Sequence, residues 1–367
     1  MKRVLYSVAL AVGLVASALP GLALAGGVKS PWQLGLLESC KSAAFVAETQ
    51  KKAAAKDVEA MAALGYLYSE ACGVPLNAEE AARLWLAAAG QGQADAMASL
   101  GYVYGEGIGV EQDAAQALRW TRAAAERGNV RGLFNLGVTY DLGLGVAVDK
   151  VEAARWYKAA IAQGDTDAMH NMAIMLLKGE GGEKDEKAAA GLWKQAADLG
   201  DAEGMAQMGA MAYWGKGMDK DLAAAMRWWR AAADKGDAGS MFFIGLMYET
   251  GEGVPVDDVQ ALTWIRKAAD KEDANAMVNM GIRSVAGKGV ARDPRQARRW
   301  WETAARKGHG DAMYYLGMLL SEGDQGVAQD EAAAIRWLRQ AAQAGNPDAA
   351  RVLRQSGIGV VTPGEAL

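Results

Sequence analysis

Residues 133–164 read LFNLGVTYDLGLGVAVDKVEAARWYKAAIAQG. Gly137 follows Leu133 by four residues, Asp149 follows Gly137 by twelve, and Trp156 and Gly164 complete the stretch. Moving outward in steps of 36 residues, glycine returns at positions 65, 101, 209, 245, 281 and 317, with Ala173 in the remaining place. A long apolar side chain stands four residues before each: Met61, Met97, Leu133, Met169, Met205, Met241, Met277 and Met313. The Asp149 position holds Asn77, Asp113, Asp185, Asp221, Asp257 and Asp293, with Asp330 displaced by one. A tryptophan comes next in every copy, at 85, 120, 156, 193, 228, 264, 300 and 337. Glycine closes the copies at 92, 128, 164, 200, 236, 308 and 345, with Glu272 as the exception. Four positions in phase through eight copies define a repeat array, in which each unit packs only against its neighbours.

Each copy reads as a helical hairpin. In AMASLGYVYGEG (96–107), Met97, Leu100, Gly101 and Tyr104 share one helical face. Glycine within a helix costs about 1 kcal/mol relative to alanine, so its recurrence demands a close approach by the partner helix. Gly107 and Gly109 supply left-handed turn conformations, and Asp113 caps the second helix. That helix is expected to bury Ala117, Trp120 and Ala124 before Gly128 stops it.

These residues resemble the Sel1-like repeat, a relative of the tetratricopeptide repeat, over roughly residues 58–346. The resemblance implies an all-α solenoid, a right-handed superhelix of about eight 36-residue helix-turn-helix units that serves as a scaffold for protein contacts. The expected units are 58–93, 94–129, 130–165, 166–201, 202–237, 238–273, 274–309 and 310–346. Departures are local: Ala71-Cys72 replaces a glycine turn, Leu176, Ala212 and Ser284 replace a tyrosine, and the last unit gains a residue near Asp324-Gln325-Gly326.

The termini suggest further organisation. Lys2 and Arg3, an apolar run and Ala23-Leu24-Ala25 predict a secretory signal peptide over 1–25, hence a periplasmic or secreted protein cleaved near Ala25. Loss of Lys2 and Arg3 takes the net charge from −5 to −7, and a mildly acidic chain without a basic stripe argues against nucleic acid. No later segment is long and apolar enough for membrane insertion of the mature chain. Residues 26–57 are expected to carry a capping helix, and 347–367 a polar cap and tail, with Arg351 and Arg354 facing solvent. Cys40 and Cys72 fall toward the same edge of the stack, which suits a disulfide; the alternative is two unpaired, partly buried thiols.

Catalytic and metal-binding groups are sparse. His309 occupies a turn position, and His170 lies on a first helix in another unit, so the two histidines make no metal site. Gly251/Gly253 and Gly287/Gly289 imitate a phosphate loop, but they follow helices in almost every unit and read as turn residues. The methionine series sits at core spacing and reads as packing. No catalytic, cofactor or metal residues are expected. The alternative activity, hydrolysis of β-lactam or cell-wall substrates, is implied only by cysteine-rich members of the similar family, which carry a cysteine pair in each repeat.

The first helices are expected to line a concave groove, presenting Phe134, Asn135, His170, Asn171, Tyr213, Trp214, Phe242, Phe243, Asn279, Tyr314 and Tyr315. Aromatic rings bury much area with few rotors to freeze, and asparagines can clamp a peptide backbone. The expected partner is a protein or peptide in envelope assembly, sensor regulation or toxin immunity, or else a cell-wall glycan. The competing expectation is that these rings pack internally.

Overall fold

The computed structural model describes residues 31–359, so the expected signal peptide and the final tail residues lie outside it. Nineteen helices run through the described residues: α1 (Pro31–Ser39), α2 (Ala43–Ala54), α3 (Val58–Ser69), α4 (Ala78–Ala89), α5 (Ala94–Glu106), α6 (Ala114–Glu126), α7 (Val130–Leu142), α8 (Lys150–Ile161), α9 (Thr166–Lys178) and α10 (Glu186–Asp198), followed by α11 (Ala202–Trp214), α12 (Leu222–Asp234), α13 (Ala238–Thr250), α14 (Asp258–Asp270), α15 (Ala274–Ala286), α16 (Pro294–Arg306), α17 (Gly310–Glu322), α18 (Glu331–Gln343) and α19 (Pro347–Gln355). The chain is an all-α repeat solenoid. From α3 onward each repeat contributes a first and a second helix, and α19 follows the last pair.

Local chemistry sets these boundaries. Asp113, Asp149, Asp257 and Asp293 each accept two backbone N–H bonds at the start of a second helix. First helices α5, α7, α9, α13 and α15 end on Gly107, Gly143, Gly179, Gly251 and Gly287, all left-handed. Ala71 and Glu272 stand where other repeats have glycine and adopt the same conformation, with φ 53° and 64°. An L side chain there carries strain of about 1–2 kcal/mol. The extra residue of the last repeat is absorbed in a tight reversal, where Asp324 and Val327 exchange backbone hydrogen bonds of 2.9 and 2.8 Å.

The tryptophan series divides into two structural columns. Trp85, Trp229 and Trp301 point inward against the glycine rung of their own repeat, Trp193 holds the same place in the repeat of Ala173, and all are buried. Thr121, Tyr157, Ile265 and Leu338 fill that inner place in the other repeats. Trp120, Trp156, Trp228, Trp264, Trp300 and Trp337 sit one residue earlier and are half-buried. The expected burial of Trp120 and Ala117 is therefore corrected: both are half-buried, and Thr121 occupies the core, because a one-residue shift rotates a helical side chain by about 100°.

The inner column explains the glycine ladder. A Cβ at Gly209 or Gly281 would lie 2.4 or 2.2 Å from the indole of Trp229 or Trp301. The bare glycine lets the indole N–H reach a first-helix carbonyl: Trp85 to Ala62 (3.2 Å), Trp229 to Ala206 (3.1 Å) and Trp301 to Val278 (3.2 Å). Where Ala173 replaces glycine, the buried Trp193 Nε1 has no hydrogen-bond partner. The expected close approach is thus made chiefly by a large side chain.

Two compact bodies divide the chain, one ending at Gly204 and the other beginning at Met205. In the first, α3 to α10 pack in series, and Leu67, Leu100, Leu136 and Tyr157 are among its fully enclosed residues. Cys40 and Cys72 form a disulfide, with Cα atoms 5.7 Å apart, that ties the start of the described chain to the turn after α3. In the second body, Trp229, Ile244, Ile265 and Met280 lie in one continuous core reaching Leu353 of α19. Arg351 and Arg354 are exposed on that last helix.

Candidate binding face of the first helices

The eleven residues singled out on the first helices fall into two groups. Phe134, Asn171, Tyr213, Trp214, Phe243, Tyr314 and Tyr315 are half-buried. Asn135, His170, Phe242 and Asn279 are buried, so the expectation that they look outward is corrected. Both groups are held by particular neighbours.

In the N-terminal body, Tyr157 of the inner column supports the face. The Phe134 ring lies 6.0 Å from it, and Asn171 Nδ2 donates to its hydroxyl at 3.2 Å. That hydroxyl donates in turn to Asp141 Oδ2 at 3.2 Å, while Lys150 joins Asp141 at 2.5 Å and Glu180 at 3.2 Å. Burial, reinforced by the Asp141 charge, pushes the Tyr157 pKa well above the phenolic range. Asn135 lies against the helix interior, with its carbonyl accepting from Thr139 at 2.7 Å.

His170 bonds the aspartate at the end of its own repeat, which also receives a first-turn N–H of the next. Its Nε2 lies 2.7 Å from Asp201 Oδ1, and that same oxygen accepts from the Gly204 N–H at 2.6 Å. Burial works against a charged imidazole, but the Asp201 hydrogen bond and the fields of Glu203, Asp201 and Asp167 outweigh it, so its pKa is raised. His309 caps α17, receiving the Ala312 N–H at 3.4 Å through Nδ1 and meeting Asn275 Oδ1 at 3.1 Å through Nε2.

The C-terminal body carries aromatic platforms. Phe243 stacks on Trp229 with centroids 4.8 Å apart and planes 10° apart. Tyr315 stacks on Trp301 at 5.3 Å and 19°. Tyr213 meets Trp214 edge-on at 4.6 Å, and Tyr314 flanks Tyr315 at 5.4 Å. Tyr213 donates to Glu252, and Lys220 lies over its ring at 5.5 Å. Burial raises the Tyr315 hydroxyl to about 12. Behind this face, Asn279 accepts from Arg283 Nε at 2.7 Å, and Glu249 pairs with Arg283 at 2.9 Å and Lys288 at 2.6 Å.

Sequence reading placed Phe243 and Tyr315 on the face but missed their supports, Trp229 and Trp301. The doublets Trp228-Trp229 and Trp300-Trp301 were the available signal, because only one residue of each pair can point inward.

A solenoid of helical hairpins with an aromatic and amide-bearing first-helix face defines the class of repeat scaffold proteins. The Sel1 repeat matches at residues 58–93, 94–129, 130–165, 166–201, 202–237, 238–273, 274–309 and 310–346, and the chain belongs to the Sel1 repeat family. Among solved structures it is similar to a protective antigen of uropathogenic Escherichia coli that displays an SLR fold. That likeness has 30% identity and a TM-score of 0.66, covering 84% of this chain and 67% of the other. It is also similar to a Sel1 repeat protein from Oxalobacter formigenes, with 27% identity, a TM-score of 0.67, and coverage of 90% and 96%. A comparison with curated proteins found no significant match. No described helix is long and apolar enough to cross a membrane, and the disulfide indicates an oxidising, exported environment.

Proposed function

We propose that the protein is a non-enzymatic adaptor of the periplasm, or a secreted one, whose first-helix face binds a protein or peptide. The supporting observation is the pair of stacked platforms, Phe243 on Trp229 and Tyr315 on Trp301. Each holds a half-buried ring fixed in orientation, so binding freezes few rotors and gains apolar contact. Tyr213, Trp214 and Tyr314 extend the same character, and in the N-terminal body Phe134 and Asn171 rest on Tyr157. The histidines support binding over catalysis, since His309 is engaged in a helix cap and His170 in a bond to Asp201. The disulfide supports export, in keeping with the signal peptide expected from the sequence.

The test replaces Phe243 and Tyr315 with asparagine, the residue three other repeats carry there, and Trp214 and Tyr314 with serine. Partner capture from envelope extract is compared with that of the wild type, alongside helicity and melting. Lost capture with an intact fold supports the adaptor reading. Capture unchanged by all four substitutions, or collapse of the fold, removes these rings as the interface.

A further inference from the structure

Within the N-terminal body, helices α3, α5 and α7 border a cavity of about 250 Å³, lined by Tyr66, Ser69, Trp85, Ser99, Tyr102 and Arg131 among others. Arg131 departs from the repeat. At the same place in the first turn, five of the seven other first helices carry Glu59, Asp95, Asp167, Glu203 and Asp311, carboxylates that suit the positive end of the helix dipole, and the remaining two carry the neutral Gly239 and Asn275. Arg131 puts a cation there instead. Its Nη1 is buried without a hydrogen-bond partner, and no carboxylate among the described residues forms an ion pair with it. Burial lowers its pKa against the opposing fields of Asp95 and Glu70.

Arg131 is half-buried, and its buried Nη1, left unbonded beside a polar cavity, is a costly arrangement that an added anion would relieve. The planar fork of arginine matches a carboxylate through two parallel N–H···O bonds. Ser69, Ser99 and Tyr102 add hydroxyls to the lining, while Tyr66 and Trp85 offer apolar surface. Glu70 also lines the cavity, which disfavours a second negative charge on the ligand. The volume lies just below the ~300 Å³ at which small-molecule pockets begin, enough for one residue-sized group.

We infer that this cavity is a carboxylate-anchoring site centred on Arg131, which takes a single carboxylate of a peptide partner, from its C-terminus or an acidic side chain. This rests on the adaptor reading but uses different residues, in the N-terminal body. The ring of Tyr102 and the hydroxyls hold the group next to the carboxylate, and the guanidinium neutralises its charge.

The purified full chain is titrated with three acetylated tetrapeptide pools, followed by calorimetry and tryptophan fluorescence. One pool has a free C-terminal carboxylate and no acidic side chain, the second is the same pool amidated, and the third is amidated with a central glutamate. Binding of the first or third pool, with the second at least tenfold weaker, is expected and identifies the source of the carboxylate. Arg131→Met, shown to be folded by circular dichroism, is expected to weaken the binding pool tenfold or more. Should that variant fail to fold, Arg131→Lys keeps the charge without the fork and is expected to weaken it at least threefold. Equal binding of all pools, silence of all three at millimolar concentration, or wild-type affinity in the folded variant would overturn the site. Capture of the natural partner by Arg131→Met, with silent peptides, sinks this inference and leaves the adaptor standing. Capture unchanged by the aromatic substitutions, with carboxylate binding that Arg131→Met abolishes, removes the aromatic interface and leaves this site standing.

Discussion

At the residue scale, the glycine rung and the inner column form one device. Gly281→Ala would drive a Cβ to 2.2 Å from the Trp301 indole and break its 3.2 Å bond to Val278. The helix-propensity gain of about 1 kcal/mol cannot offset this overpacking, and a net loss of about 2–3 kcal/mol is expected in urea unfolding. Ala173→Gly should behave oppositely in sign of contact. It loses the same propensity but opens a route for the buried, unpartnered Trp193 Nε1 to the His170 carbonyl, as in the repeats with glycine. The two effects nearly cancel, so stability within about 1 kcal/mol of wild type is expected, with a changed Trp193 indole proton shift. A Gly281→Ala chain more stable than wild type would refute the packing account.

At the element scale, neighbouring first helices are tied by polar bonds as well as by their cores. Asn129 Nδ2 donates to Asp95 at 2.9 Å and Asn346 Nδ2 to Asp311 at 2.6 Å, each linking a helix cap to the first turn of the helix 34 or 35 residues earlier. Helices α13 and α15 are joined by Glu249 and Arg283, both nearly buried. Glu249 keeps Lys288 if Arg283 is lost, whereas the buried Arg283 has no other ion pair among the described residues, so Glu249→Gln should cost about 3–5 kcal/mol in denaturant unfolding. The double change Arg283→Met with Glu249→Gln removes both charges and should recover most of that loss. No recovery in the double variant would mean that Arg283 acts through packing. The repeat pattern exposed these helices to prediction, but not this pair, because 34 residues separate its members and no other repeat carries both.

At the scale of the whole molecule, pH and the disulfide act on different parts. Burial raises Asp165 and Asp273, both helix caps, to about 6. Their folded pKa lies above the ordinary 3.8, so the folded chain binds these protons more tightly. The resulting stability is full below that ordinary value and is lost as pH rises through about 6. His170 acts in the same direction, contributing below its ordinary 6.5 and losing that contribution as pH rises through its raised value. The melting temperature should therefore rise between pH 8 and pH 5, and Asp165→Asn with Asp273→Asn should flatten the profile. A melting temperature that falls across that range would contradict the assignment. The Cys40–Cys72 bond closes a separation of 32 residues, for which chain entropy gives about 3–4 kcal/mol. Because repeats unfold with partial independence, Cys40→Ser with Cys72→Ser should release amide protons in α1–α3 while α17 and α18 stay protected. Uniform loss of protection would argue for a single cooperative unit.

The 36-residue period determined the helical class, the hairpin units, the turn glycines and the caps, because each follows from local backbone geometry that recurs in the same residue types. It also marked Phe243 and Tyr315 as unusual among the residues at their place. Only tertiary packing decided which tryptophan of a doublet turns inward, which polar residues are buried, and that Arg131 keeps a buried, unbonded Nη1 beside a cavity. Those outcomes depend on which side chain of the neighbouring repeat arrives at a given spot, and a single residue of helical rotation changes the answer.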